Sequence, residues 1–262
     1  MLLAEPQPTP ADFQFSIAGI PVRVTGWFWG AAALLGWGVA RGLAGDDSRM
    51  LLVYLAVWIA VVFVSILIHE LGHAVVFARF GQPARIVLYH FGGLAIPFGM
   101  PSRSLVKPSR RLLVAAAGPL AQLVFISLVI AGLAGLGYRL PPSGMVSRLP
   151  VIGDWLAAVA EQGRPLPSGL VRLAVYHLLF VNIGWAALNL LPVPPLDGGT
   201  IVLEGLRAAG VTAAVSIASL FGLLIAGTIA FWAFQRQDLY LAVMFALLGY
   251  GCFQRLSQPG PG

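Results

Sequence analysis

The 262-residue chain is 58% hydrophobic and only 10% charged, with a mean hydropathy of +0.86, whereas soluble domains are roughly a quarter charged. That balance excludes an ordinary soluble enzyme and predicts an all-α polytopic membrane protein, a single membrane-embedded domain over 1–262 with about six transmembrane helices. The net charge of +6 does not indicate a nucleic-acid partner, because the basic residues cluster at the flanks of apolar runs and not along one polar face.

Residues 1–26 carry Glu5, Asp12 and early prolines, with no apolar stretch of signal-peptide length, so no cleaved leader is expected. Phe13–Ile17 and Val22–Thr25 flank Gly19 and Pro21, which predicts a short strand pair before the first span. That span covers about Trp27–Leu43, with Trp27 and Trp29 as interfacial anchors. A polar loop at Asp46, Asp47 and Arg49 leads to the second span, about Met50–Phe77. It exceeds the roughly 20 residues a crossing needs, which predicts tilt.

Between 78 and 111 lie Arg79, Arg85, Arg103, Lys107, Arg110 and Arg111 with no acidic residue, which assigns this loop to the cytosol. Within it, Arg85–Phe91 and Leu94–Phe98 read as two β-rich runs around a Gly92-Gly93 turn. The third span, about Leu112–Gly137, contains Gly118-Pro119 as a predicted kink. An external loop follows over 138–170, where Val151, Ile152, Trp155, Leu156 and Val159 fit a short amphipathic helix lying on lipid. The fourth span, about Val171–Leu191, ends in a proline-rich segment. Spans five and six, about Val211–Phe234 and Leu239–Phe253, carry no recognisable chemistry. Six crossings place both termini in the cytosol. The single Cys252 excludes an internal disulfide.

The chemistry concentrates in the second span. His69 and His73 are four apart, so on a helix their rings stand about 40° apart on one face. That spacing lets two imidazole nitrogens reach one Zn²⁺, with Glu70 beside them as the base for a water at the metal. Chance produces HExxH in roughly one such chain in a thousand. Ionisable groups inside an apolar helix also mark function by default.

A catalytic zinc site wants a third protein ligand and an open position. The candidates are His90, His177 and the acidic residues near the membrane. The second span runs outside to inside, so His73 lies roughly 9 Å before Arg79, in the cytosolic half of the bilayer. The fourth span also ends on that side. There Pro192, Pro194 and Pro195 deny the backbone its helical hydrogen bonds, and Gly198-Gly199 permit sharp turns, so a non-helical segment can swing Asp197 onto the metal. His177 falls near the external end and reads as a core histidine. His90 lies on the correct side but in the loop. Asn182 and Asn189 share a face of the fourth span; both fit interhelical hydrogen bonding, and Asn189 adjoins the Asp197 segment closely enough to be a catalytic candidate.

His69-Glu70-Leu71-Gly72-His73-Ala74, together with Asn189-Leu190-Leu191-Pro192-Val193-Pro194-Pro195-Leu196-Asp197-Gly198-Gly199, closely resembles the site-2 protease family of intramembrane zinc metalloproteases. The likeness extends over about residues 15–205, the expected catalytic core. It implies His69, His73 and Asp197 as zinc ligands, Glu70 as general base, a β-rich loop that presents substrate, and membrane-protein substrates cleaved within or near their transmembrane helices. The chain departs from the family at Gly118-Pro119-Leu120-Ala121-Gln122, where relatives often carry Asn in place of Gln122. It also leaves no room for the PDZ or CBS domains of many relatives. Two alternatives remain. Prenyl-protein endopeptidases would need a later glutamate from a helix, and Glu204 lies outside any apolar span. A non-enzymatic membrane metal carrier or scaffold would use the same three ligands and have no need of Glu70.

Overall fold

The computed structural model describes residues 6–90, 92–140 and 163–257. The amphipathic helix expected around 151–159 lies outside the described residues. Two short strands, β1 (Phe13–Ile17) and β2 (Ile20–Val24), open the fold. They pair antiparallel across Ala18 and Gly19, both at positive φ (49° and 81°), the geometry of tight hairpin turns that follow strand twist.

The helical hairpin α1 (Gly26–Ala44) and α2 (Ser48–Arg79) follows. The polar loop before α2 has a definite task. Asp47 accepts hydrogen bonds from the Arg49 and Met50 amides at 2.9 and 3.1 Å, satisfying donors that the first helical turn leaves open. Beyond α2 come β3 (Ala84–Tyr89) and β4 (Gly92–Pro97). β2 and β3 pair in parallel, so the two predicted hairpins merge into one sheet of order β1-β2-β3-β4. Parallel neighbours need a long crossover, and the α1–α2 hairpin supplies it. Val22, Val24, Ile86 and Leu88 are essentially inaccessible and pack with Phe28, Trp58 and Ile66 in one core cluster.

The sheet corrects one expectation. Register pairs Tyr89 with Gly92 and Leu88 with Gly93, so the turn falls between Tyr89 and Gly92 and both glycines belong to β4. Their smallness serves the site described below, not the turn.

A short 3₁₀ turn (Arg103–Val106) leads into α3 (Pro108–Gly135), which begins on proline at its first position, where the missing N–H costs nothing. The helix continues through Pro119 without a break. α4 (Gly169–Asn189) is capped by the Ser168 hydroxyl, which accepts from the Val171 amide at 3.2 Å. The proline segment follows, with a cis Pro194–Pro195 bond. Then comes a helix that the sequence did not predict, α5 (Asp197–Ala208). Gly198 and Gly199 therefore lie inside a first helical turn and not in a sharp bend. A Cβ on either would strike the backbone of Leu190 or Pro194; they are small because the incoming chain passes directly over them. Finally α6 (Ala214–Gln235) and α7 (Leu239–Ser257) form a hairpin whose core of Ala226, Phe245 and Cys252 encloses Val193.

Among the described residues, five helices are long and apolar enough to cross a membrane: α2, α3, α4, α6 and α7. The first predicted span, α1, forms a 19-residue helix but is not among them, because its tryptophans, glycines and Arg41 dilute its hydropathy. Leu34, Leu52, Leu128, Phe231 and Phe234 are each more than 60% exposed. Such a belt suits hydrocarbon and not water, and with the five apolar helices it fits a multi-pass membrane protein.

Candidate active site and metal centre

His69 and His73 stand one turn apart on α2, their rings 4.8 Å apart at 77°. Each is turned by a partner on α3. His73 Nδ1 lies 2.7 Å from the Val114 carbonyl oxygen. A carbonyl only accepts, so His73 carries its proton on Nδ1. His69 Nδ1 lies 3.0 Å from Gln122 Oε1, while Gln122 Nε2 donates to the Ser65 carbonyl at 3.2 Å. That second bond fixes which end of the amide faces His69, and His69 donates from Nδ1 as well. Both Nε2 atoms therefore present lone pairs. This is the usual outer-shell arrangement behind metal-binding imidazoles.

The lone pairs converge. The two Nε2 atoms are 3.1 Å apart, and Asp197 Oδ2 and Oδ1 lie 3.1 and 3.4 Å from His69 and His73 Nε2. Asp197 Oδ2 is buried without a hydrogen-bond donor. Acceptors crowded this closely repel unless a cation stands among them. The three ligand atoms lie within 4.8 Å of one another, and two imidazoles with one carboxylate are a donor set suited to zinc. A Cβ on Gly118 would fall onto His73 Nε2 and lie 2.8 Å from His69 Nε2. The Gly118-Pro119 pair thus leaves room for the metal, and its glycine has the decisive part.

Glu70 is 4% exposed, on α2 between the histidines and β4. A Cβ on Gly93 would sit 2.6 Å from Glu70 Oε1, so the carboxylate occupies space that only glycine leaves. Tyr89, buried at the end of β3, has its phenol pushed up to about 12 by burial, with the Glu70 charge acting in the same direction. A cavity of about 1620 Å³ opens over the group, lined by α1, α2, β4, α4 and α7 residues and by the Pro194–Asp197 segment.

The other candidates separate. Asn189 lines this cavity, half-buried, and its Nδ2 donates to the Trp185 carbonyl one turn back at 3.0 Å. Asn182 is fully buried and donates to Ser65 Oγ at 2.9 Å, extending the polar contacts from Gln122 across to α4. His90 is exposed on the cavity rim. His177 is remote, its ring 5.1 Å from that of Trp58. Glu204, which sequence placed outside any apolar span, is nonetheless only 3% exposed, held by Arg111 and Arg207. Sequence reasoning missed Val114, Gly118 and Gly93, since a backbone carbonyl or an absent side chain leaves no chemical signature. Gln122 did leave one: a buried amide in an apolar helix is a request for a partner.

The sequence profile of peptidase family M50 matches residues 57–227. The chain belongs to this family. A zinc metalloprotease of Methanocaldococcus jannaschii is 26% identical over 189 residues, covering 72% of this chain and 43% of its own length. The Synechocystis protein sll0528, named as a candidate zinc metalloprotease, is 33% identical over 146 residues, covering 53% of this chain and 28% of its own. The chain thus spans less than half the length of these M50 relatives. Among solved structures, the site-2 protease of M. jannaschii superposes with a TM-score of 0.53 at 22% identity, covering 96% of this chain and 98% of the other. The M50 fold is shared.

Proposed function

We propose that this M50 protein is an intramembrane zinc metalloprotease that hydrolyses peptide bonds within or near transmembrane helices of other membrane proteins. The observation that carries the reading is the convergence of His69, His73 and Asp197 with Glu70 under a cavity walled by an edge strand. Zn²⁺, when bound by the three ligands, supplies the lowered water pKa and the polarised carbonyl that amide hydrolysis needs. Glu70 takes a proton from the attacking water on its carboxylate and passes it to the leaving amine nitrogen. A metal carrier would have no use for a carboxylate held in that place.

Substrate helices hide their peptide groups in their own hydrogen bonds, so they must unwind before attack. β4 is the last strand of the sheet, and Gly92 to Ala95 and Pro97 line the cavity. An unwound segment pairs with this edge as an added strand, bringing its scissile carbonyl beside Glu70. Asn189, on the facing wall, hydrogen-bonds the same segment. Arg79, Arg103, Lys107, Arg110 and Arg111 lie in the connection between α2 and α3 or at the ends it joins, and their charge supports a cytosolic position for this end and for the site; with α1 as a sixth crossing, both termini share that side.

Glu70→Gln keeps size but cannot accept the proton. Purified protein is expected to retain zinc while cleavage of a membrane-helix substrate falls by a factor of about 10²–10⁴; near wild-type cleavage would refute the mechanism. For orientation, single cysteines at 103–108 in a Cys252→Ser background should react with impermeant reagents from the cytosolic side alone.

A further inference from the structure

We infer that Glu204 is a positioning residue for Asp197, fixing the third metal ligand against α3 through a buried ion cluster. The inference rests on the His69–His73–Asp197 metal reading. Seven residues separate Asp197 from Glu204 on α5, so the two side chains lie about 20° apart around the helix and roughly 10 Å apart along it. One face of a short helix thus carries the ligand at one end and a buried carboxylate at the other.

Glu204 Oε1 accepts from Arg207 Nη1 at 2.7 Å, and Oε2 lies 2.8 Å from Arg111 Nη2. The second approach is a close charge contact and not an aligned hydrogen bond, since Oε2 has no hydrogen-bond donor. Arg111 sits in the first turn of α3 and is itself anchored, donating through Nη1 to the Leu105 and Val106 carbonyls at 3.1 Å each. Three residues further along α3 is the Val114 carbonyl that orients His73, and two turns beyond that is Gln122, which orients His69. α3 is therefore the common gauge for all three ligands. It holds the histidines directly, and it holds Asp197 through Arg111, Glu204 and the rigid body of α5.

Asp197 needs such a hold. It is the first residue of α5, the helix start has no side-chain cap, and the segment before it contains three prolines without amide donors. The two arginines differ in what they can do. Arg207 is on the same helix as Glu204 and cannot fix α5 to anything else. Arg111 can. Both arginine side chains are more than a third exposed, at 36% and 39%, so each can turn to water when the carboxylate is neutralised. The fold then survives while the strut is lost.

The test measures zinc affinity of the full chain in detergent by competition with chelators. Glu204→Gln and Arg111→Gln are each expected to weaken zinc about 10–100-fold, the usual cost of losing outer-shell support, with Arg111→Lys recovering part of the loss. Arg207→Gln should change affinity about twofold at most, as befits a local pair within one helix. In an Asp197→Ala background, Glu204→Gln should produce no further loss. Wild-type affinity in Glu204→Gln, or an equal loss in the Asp197→Ala background, would overturn the positioning role. Wild-type affinity in Asp197→Ala alone would instead overturn the metal reading beneath it.

Discussion

The two halves of the proposed metal centre are held by opposite means. His69 and His73 sit in the last third of a 32-residue helix, 3% and 7% exposed, and each is turned by a neutral hydrogen bond to α3. Asp197 arrives on a 12-residue helix after a run of prolines, and a cluster of charges ties that helix down. Neutral polar contacts suit the apolar interior, where an unpaired charge is most costly. Ionic contacts suit the rim, where arginines reach solvent. One half of the site is built into helix packing, and the other is docked onto it.

The comparison breaks most completely at a ligand. His73→Ala removes a nitrogen from the packed half, and metal analysis is expected to fall from about one zinc per chain to almost none, since a tetrahedral site with two protein ligands left binds weakly. Retained zinc would mean the packed half is not needed. Next comes Gly93→Ala, whose added methyl would lie 2.6 Å from Glu70 Oε1 and push the carboxylate aside. Displacing a base by about an ångström costs on the order of 10²-fold in turnover, with zinc content unchanged; if zinc falls with turnover, the strand and the metal are not separate supports. The smallest effect is expected at Gln122. Gln122→Leu should weaken zinc about 10–100-fold. Gln122→Asn, which draws the amide back by one methylene, should lose less because α3 can shift slightly toward α2, and equal losses would show that the amide's reach is critical.

Sequence exposed the packed half more readily than the docked one, for physical reasons. HExxH is a local pattern on one helix face, so His69, Glu70 and His73 were placed together by helix geometry alone. The prolines before Asp197 correctly marked a break in α4. They did not reveal that a helix resumes at Asp197, since Gly198-Gly199 have low helix propensity and tertiary contact with Leu190 and Pro194 overrides it. The merger of the two hairpins was equally hidden. Val22 pairs with Ile86 across two helices, and period-two patterning identifies strands without naming their partners. Glu204 looked solvated because it lies outside every span read from the sequence, although Arg207 one turn away hinted at a local ion pair.

The polar contacts around Ser65 carry a consequence for how the protein is made. α2 brings Ser65, His69, Glu70 and His73 into the membrane before their partners, and its apolar composition offsets their cost. Gln122 is encoded 53 positions after His69 and Asn182 117 positions after Ser65. At ribosomal speeds of about 5–20 residues per second, the second helix waits on the order of ten seconds for its last partner. During that interval its polar groups face lipid or the walls of the insertion machinery. Release into open bilayer is therefore favoured only after α4 has emerged, and metal loading later still, once α5 has been synthesised. Assembly order is written into the register of these hydrogen bonds, and a chain truncated before Asn182 should linger at the translocon.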